Sequence, residues 1–262
     1  MKMKITKALL LGTLPVALCC TIARGQSTIY ANTFTGQPAT AIEGVAPGTA
    51  SSYAGGSSSA LWNDDSAGQN TFLQNGTVAS VPNNQASALL PFTPQSGYIY
   101  TLLATLSFPS GSGNWWGIGF TENDPVETTG DGGRLGDSQV GGQPWMLIRT
   151  TGASQGFPGL GASTLTLVSG ALAAGNNSMS IVLNTTGAEW TDSFYVNNVL
   201  DGTYTYTSAN PTISAVGFGS NGSVSGTIDT FSLTATPTPE PTSVAMFGLG
   251  LGALALIRRK RA

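Results

Sequence analysis

The chain contains no histidine. That removes imidazole as a general base, a metal ligand or a triad member. Its two cysteines, Cys19 and Cys20, both lie near the N-terminus, so the rest of the chain offers no thiol nucleophile, no cysteine zinc site and no disulfide. Residues 26–235 contain no lysine, and their only basic residues are Arg134 and Arg149. The same stretch carries twelve acidic residues, which leaves it at a net charge of about −10. A surface this acidic repels a phosphate backbone, so no nucleic acid partner is expected. Sustained helical periodicity and internal repeats are also missing from this stretch. What remains for acid–base chemistry is a pair of carboxylates.

The positive charge is concentrated at the two ends. Lys2, Lys4 and Lys7 form a basic segment ahead of an apolar run over residues 8–20. Ala23-Arg24-Gly25 then puts small residues at the −3 and −1 positions of a cut between Gly25 and Gln26, with a cut after Ala23 as the neighbouring option. A signal peptide is therefore expected over residues 1–25, removed by signal peptidase. The apolar run is short and contains Pro15, which argues against an uncleaved anchor. The residues before Cys19 and Cys20 are Leu18 and Cys19, not the small residue that normally precedes a lipidated cysteine. Cleavage takes both cysteines away, and the exported domain must be stable by packing alone.

At the other end, Thr236-Pro237-Thr238-Pro239 leads into Glu240-Pro241. Prolines here favour an extended, exposed backbone that a processing enzyme can grip. Residues 244–257 carry no charge, and Arg258, Arg259, Lys260 and Arg261 follow. A fourteen-residue helix spans about 21 Å, short of a hydrocarbon core of about 30 Å. Extension into Thr242 and Ser243 and snorkelling of the basic side chains narrow that gap. A single transmembrane helix is expected over residues 243–257, with the basic end, residues 258–261, in the cytoplasm. The order Pro239-Glu240-Pro241, short apolar helix, terminal basic cluster resembles the PEP-CTERM sorting signal in all three parts. The resemblance implies recognition by an exosortase, a membrane-embedded, cysteine protease-like enzyme. It also implies cleavage near Pro239-Glu240-Pro241 and delivery from a membrane-anchored precursor to the cell surface or an exopolysaccharide matrix.

Between the ends, the roughly 210 residues of 26–235 suffice for one domain that buries about 70% of its unfolded surface. The clearest element is residues 98–108, where Tyr98, Tyr100, Leu102, Ala104, Leu106 and Phe108 alternate onto one face. Further strands are expected over 115–121, 144–150, 164–168, 179–183, 194–197, 204–206, 212–219 and 227–235. Residues 198–202 have hairpin chemistry. In the last strand Phe231, Leu233 and Ala235 share a face. Many short strands between Gly/Asn/Ser turns predict an all-β sandwich or barrel.

The body also resembles the concanavalin A-like, or laminin G-like, jelly-roll domains. The resemblance rests on residues 30–34, Gly97-Tyr98, Trp116-Gly117-Ile118-Gly119-Phe120, Ile181-Val182-Leu183, Phe194-Tyr195-Val196-Asn197 and Gly226-Thr227-Ile228-Asp229-Thr230-Phe231, in that order along the chain. It implies a jelly-roll sandwich of two antiparallel sheets, a fold often used for glycan binding or adhesion. The expected organisation is thus a signal peptide at 1–25, a β-sandwich at 26–235 and a sorting tail at 236–262.

Glucanases of that fold carry clustered acids on a central strand. Here Glu122, Asp124 and Glu127 stand in Glu-x-Asp-x-x-Glu spacing, but Pro125 interrupts the run and Pro is expelled from central strands. The segment reads first as a solvated acidic loop. A calcium site with oxygen ligands from Glu122, Asp124, Glu127, Asp131 and Asp137 is the second reading, and a glycosidase pair the third. Asn63-Asp64-Asp65 reads as a turn after Trp62. Of the tryptophans, Trp115 and Trp116 are adjacent in a strand and must face opposite ways, one into the core and one outward. Trp115, Trp116 and Trp190 are the candidate glycan contacts.

The leading expectation is a non-catalytic, exported surface or matrix protein with an exosortase as processing partner and exopolysaccharide as ligand. The alternatives are a carbohydrate-active enzyme of the same fold, a hydrolase or lyase, and a calcium-dependent adhesion module. No cofactor other than calcium is expected.

Overall fold

The computed structural model describes residues 25–34, 40–64, 72–74, 78–79, 86–108, 115–122, 135, 143–149, 153–159, 162–167, 175–221 and 226–238. Among them the chain forms seventeen strands and one 3₁₀ turn, with no α-helix. In chain order the first strands are β1 (Ser27–Asn32), β2 (Thr40–Ala41), β3 (Thr49–Ala50), β4 (Asn63–Asp64), β5 (Leu73–Gln74) and β6 (Val78–Ala79). Longer strands follow: β7 (Ala86–Pro91), β8 (Tyr98–Phe108), β9 (Trp115–Thr121), β10 (Trp145–Arg149), β11 (Ser154–Phe157) and β12 (Leu165–Leu167). The chain closes through β13 (Gly175–Asn184), β14 (Thr191–Val196), β15 (Val199–Thr205), β16 (Ala215–Asn221) and β17 (Thr227–Pro237).

These strands build two antiparallel sheets. One runs β15-β14-β13-β8-β17-β6-β5-β2, with β1 laid along β17 and β3 outside β1. The other runs β12-β11-β10-β9-β16-β7-β4. The inner faces meet in one aliphatic and aromatic core, the two-sheet jelly-roll sandwich expected from the strand pattern.

Period-two alternation explains the long strands. Tyr100, Leu102, Ala104 and Leu106 of β8 are all fully buried, while Thr101, Leu103 and Thr105 between them are partly exposed. In β17 strict alternation would separate Ile228 from Phe231, yet both are core residues. The register against β8 shifts between Ile228 and Thr230, so Asp229 is the extra residue of a bulge. Its carboxylate accepts a hydrogen bond from Thr227 Oγ1 (2.8 Å). The β14–β15 turn is tighter than the expected segment 198–202. Asn197 and Asn198 both take positive φ (50° and 64°), as a two-residue hairpin loop requires. Asn63 and Asp64, expected as a turn, instead form β4 and pair with Leu89 and Ala88 of β7. The neighbouring Trp62 anchors them, packing 5.1 Å from Phe218 and 5.2 Å from Phe231.

Tyrosines tie the two sheets at one end. Tyr30 of β1 donates its phenol proton to Pro91 O of β7 and accepts from Ser57 N–H (2.7 Å). Tyr100 Oη accepts from Gln95 N–H (2.8 Å) and faces Ala54 O (3.0 Å). Burial holds the Tyr30 phenol above its ordinary pKa and pushes that of Tyr100 up to about 12. Both therefore stay protonated donors through the physiological range.

β17 runs to Pro237, two residues past the expected domain boundary at Ala235. Pro237 pairs with Tyr98, and Thr238 N–H donates to Gly97 O (3.0 Å). Proline is tolerated there because it ends the strand. No helix among the described residues is long and apolar enough to cross a membrane. The expected helix at 243–257 lies outside them, as does the expected signal peptide up to Arg24.

Candidate functional site

The outer face of the seven-stranded sheet carries a second aromatic cluster. In β9, Trp116, Ile118 and Phe120 point into the inter-sheet core, which turns Trp115, Gly117, Gly119 and Thr121 outward. Met146 and Ile148 point inward from β10, leaving Trp145, Leu147 and Arg149 on the same outer face. The β10–β11 register places Phe157 opposite Trp145 and Gln155 opposite Leu147. Trp145 and Phe157 stack with centroids 4.2 Å apart and planes 9° from parallel, and Trp115 packs against Trp145 at 5.4 Å.

Leu135 is fully buried on this cluster, and its N–H approaches Ser87 Oγ at 3.4 Å. With Leu135 in place Trp115 is 5% exposed and Trp145 7%. The open part of the face lies toward β11 and β12. Phe157, Gln155 and Arg149 are half-buried there and Thr166 is exposed. Arg149 Nη2 donates to Gln155 Oε1 (3.4 Å). An aromatic ring thus sits beside a guanidinium, an amide and a hydroxyl, a set that can stack on a sugar ring and hydrogen-bond its hydroxyls. The described residues of this outer face carry no carboxylate.

Glycine makes room for the rings. A Cβ on Gly119 would lie 2.3 Å from Trp145 Cβ and 2.9 Å from Pro144 O. One on Gly117 would meet the Trp115 ring at 3.2 Å. Because the obstruction at Gly119 includes backbone, Gly119→Ala should unseat Trp145 and destabilise the domain by about 2 kcal/mol. Near-ultraviolet circular dichroism, which reports coupled tryptophans, should lose intensity in that variant.

The residues singled out from sequence are not gathered in one place. Trp115 faces outward as part of the cluster just described. Trp116 lies in the inter-sheet core at 0% exposure, 5.9 Å from Phe72, and its Nε1 has no hydrogen-bond partner. It packs in the core and, contrary to the expectation from sequence, offers no surface to a glycan. Trp190 is half-buried against the core just before β14, and its N–H donates to Asn210 Oδ1 (2.9 Å). Gln26, just beyond the expected signal-peptide cut, donates from Nε2 to Thr234 Oγ1 (2.6 Å), and Gly25 is exposed. Glu122 is exposed immediately after β9, whereas Asp124, Glu127, Asp131 and Asp137 lie outside the described residues. Among the described residues no three carboxylates come together as a metal site would need. Pro239, Glu240, Pro241 and the basic residues Arg258, Arg259, Lys260 and Arg261 also fall outside them.

One buried acid was not anticipated. Asp192 is fully buried on the inner side of β14. Its Oδ1 accepts from Tyr204 N–H (3.1 Å), and its Oδ2 lies 2.7 Å from Tyr206 Oη. The same phenol lies 2.8 Å from Pro158 O, so one hydroxyl proton faces two acceptors. A protonated Asp192 resolves this by donating to Tyr206 Oη, which frees the phenol proton for Pro158. Burial pushes the Asp192 pKa up to about 6, against the lowering effect of the Tyr206 hydrogen bond. Burial and the neighbouring carboxylate both hold the Tyr206 phenol far above its ordinary range.

The fold and the tail together define a class: a jelly-roll sandwich protein bearing a cell-surface sorting signal. Residues 237–261 match the PEP-CTERM protein-sorting motif. That motif marks an exported protein that an exosortase processes at the cell surface. Comparison with curated proteins gives no match. Among solved structures, endo-1,3-beta-glucanase from Streptomyces sioyaensis aligns with a TM-score of 0.52 at 13% identity, over 82% of this chain and 98% of that one. The Emp47p carbohydrate recognition domain aligns with a TM-score of 0.47 at 9% identity, covering 82% and 97%. Lectin UEA-II, solved with galactose, gives 0.41 at 12% identity, covering 69% and 93%. At 13% identity the likeness to the glucanase is one of fold.

Proposed function

We propose that this is a non-catalytic surface or matrix protein that binds glycan through the outer face of its seven-stranded sheet. The observation that carries the reading is the stacked Trp145–Phe157 pair, flanked by Trp115, Arg149 and Gln155 on an otherwise glycine-rich face. The rigid stack presents Phe157 at little entropic cost, and the neighbouring donors fix the orientation of a bound sugar. The fold is shared with an endo-1,3-beta-glucanase, which accords with a sugar ligand. The sorting tail supplies the route: secretion, exosortase processing, and retention in exopolysaccharide through this face.

Calorimetric titration of the exported protein with the producer's exopolysaccharide tests the proposal. Phe157→Ala should weaken binding about tenfold or more. It should cost the fold less than a core substitution does, because Phe157 is half-buried on the outer face, away from the inter-sheet core. Equal affinity of the two proteins would remove the face from the account. Release of reducing ends during the titration would favour the hydrolase reading.

A further inference from the structure

The body and the sorting tail are joined with almost no slack. β17 is an interior strand of the ten-stranded sheet, and its pairing with β8 continues to Pro237, which is buried. Thr238 is held in turn: its N–H and its Oγ1 each lie 3.0 Å from Gly97 O. The sorting motif match begins at Pro237, inside the folded strand. Pro241 is then three residues on from Thr238, a reach of at most about 10 Å. Val244, where the apolar run begins, is six residues on from Thr238, a reach of at most about 20 Å.

An enzyme that closes around Pro239-Glu240-Pro241 must therefore come against the end of the sandwich from which the tail leaves. Residues 93–97 and 185–190 form that end around Thr238. Thr185 locks the two loops together, with its Oγ1 2.7 Å from Gln95 O and 2.9 Å from Tyr98 O, and Gly97 N–H donates to Thr185 O (3.0 Å). Gln95, Ser96, Thr186, Gly187 and Ala188 are exposed there, and Glu189 is the one charged residue of the two loops. A rigid, nearly uncharged, polar surface suits repeated contact with a protein, since little charge is desolvated when it is covered.

We propose that this end of the sandwich, loops 93–97 and 185–190, is the surface that the membrane-embedded processing enzyme contacts while it cleaves the tail. The proposal rests on the sorting role of the tail and adds that the folded domain itself takes part in the encounter. It further means that the enzyme either engages residues from Pro239 onward or unzips Thr238 from Gly97 to gain more backbone.

The test is photo-crosslinking in producing cells. A photoreactive phenylalanine derivative is placed at Ser96, at Thr186, and at Val199 beyond the opposite end of β14. Positions 96 and 186 should crosslink to the exosortase while the precursor is being processed, and position 199 should not. Insertion of ten Gly/Ser residues between Thr238 and Pro239 should abolish both crosslinks. Crosslinks from 96 and 186 to lipid alone, or no stronger than from 199, in cells that do process the tail, would overturn the contact surface. An intact mass that retains residues 239–262 in the final wild-type product would instead overturn the sorting role itself, and the contact surface with it.

Discussion

Asp192→Asn is expected to remove a pH-dependent loss of stability of about 3 kcal/mol from this domain. The carboxyl titrates near pH 6 in the fold and near 3.8 when unfolded. Between those values the folded state holds a proton that the unfolded state has released. Its contribution is therefore complete below about pH 4 and is lost as pH rises through 6. Above that, an ionised carboxylate sits buried, Tyr206 turns its proton to it, and Pro158 O loses its donor. Asparagine reproduces the protonated form: its Oδ1 can accept from Tyr204 N–H while its Nδ2 donates to Tyr206 Oη. Urea unfolding of both proteins from pH 4 to pH 8 is the measurement. The two should agree within about 1 kcal/mol at pH 4, and the variant should be the more stable at pH 8. A constant difference across the range would mean that Asp192 is not titrating in this window.

Phe218→Ala should be the most damaging truncation in the core, at about 4 kcal/mol. Phe218 lies among Phe72 and Trp62, each with centroids 5.1 Å away, Phe231 at 5.9 Å and Phe34 at 6.1 Å. These rings come from both sheets and from the segments before β2, β4 and β5, so no single neighbour can collapse into the space. With no disulfide in residues 26–235 to limit the unfolded chain, the loss falls directly on packing. Denaturant unfolding should show the midpoint falling with little change in slope. A cost near 1 kcal/mol would mean that the interior of this cluster repacks freely.

Strands with strict alternation were legible in the sequence. Residues 98–108 and 115–121 coincide with β8 and β9, and the opposed faces of Trp115 and Trp116 follow from the strand alone. Ala86–Pro91 was missed because its residues are small or apolar throughout, with Ser87, Ala88, Leu89 and Leu90 buried on both faces of the strand. Ser154–Phe157 was missed because Ser-Gln-Gly-Phe has no apolar alternation, and only pairing with β10 and β12 makes it a strand.

The candidate site was half visible. That one of Trp115 and Trp116 faces outward could be read from the strand, but not which of them, and the partners of Trp115 come from β10 and β11. Nothing local says that Phe157 will lie opposite Trp145, since register between strands is a tertiary property. Alternation along 145–149 was the available clue, because it separates Trp145, Leu147 and Arg149 from Met146 and Ile148. Asp192 falls just before the expected strand 194–197, so nothing local marks it as buried. Its burial depends on Tyr206 and Pro158, which are remote in sequence.

The most direct measurement is how the exported protein partitions between washed exopolysaccharide matrix and culture medium. The wild type should remain with the matrix. A Phe157→Ala, Gln155→Ala double variant, secreted and processed at the same rate, should appear mainly in the medium. Equal retention of both would contradict glycan binding by the outer face of the seven-stranded sheet.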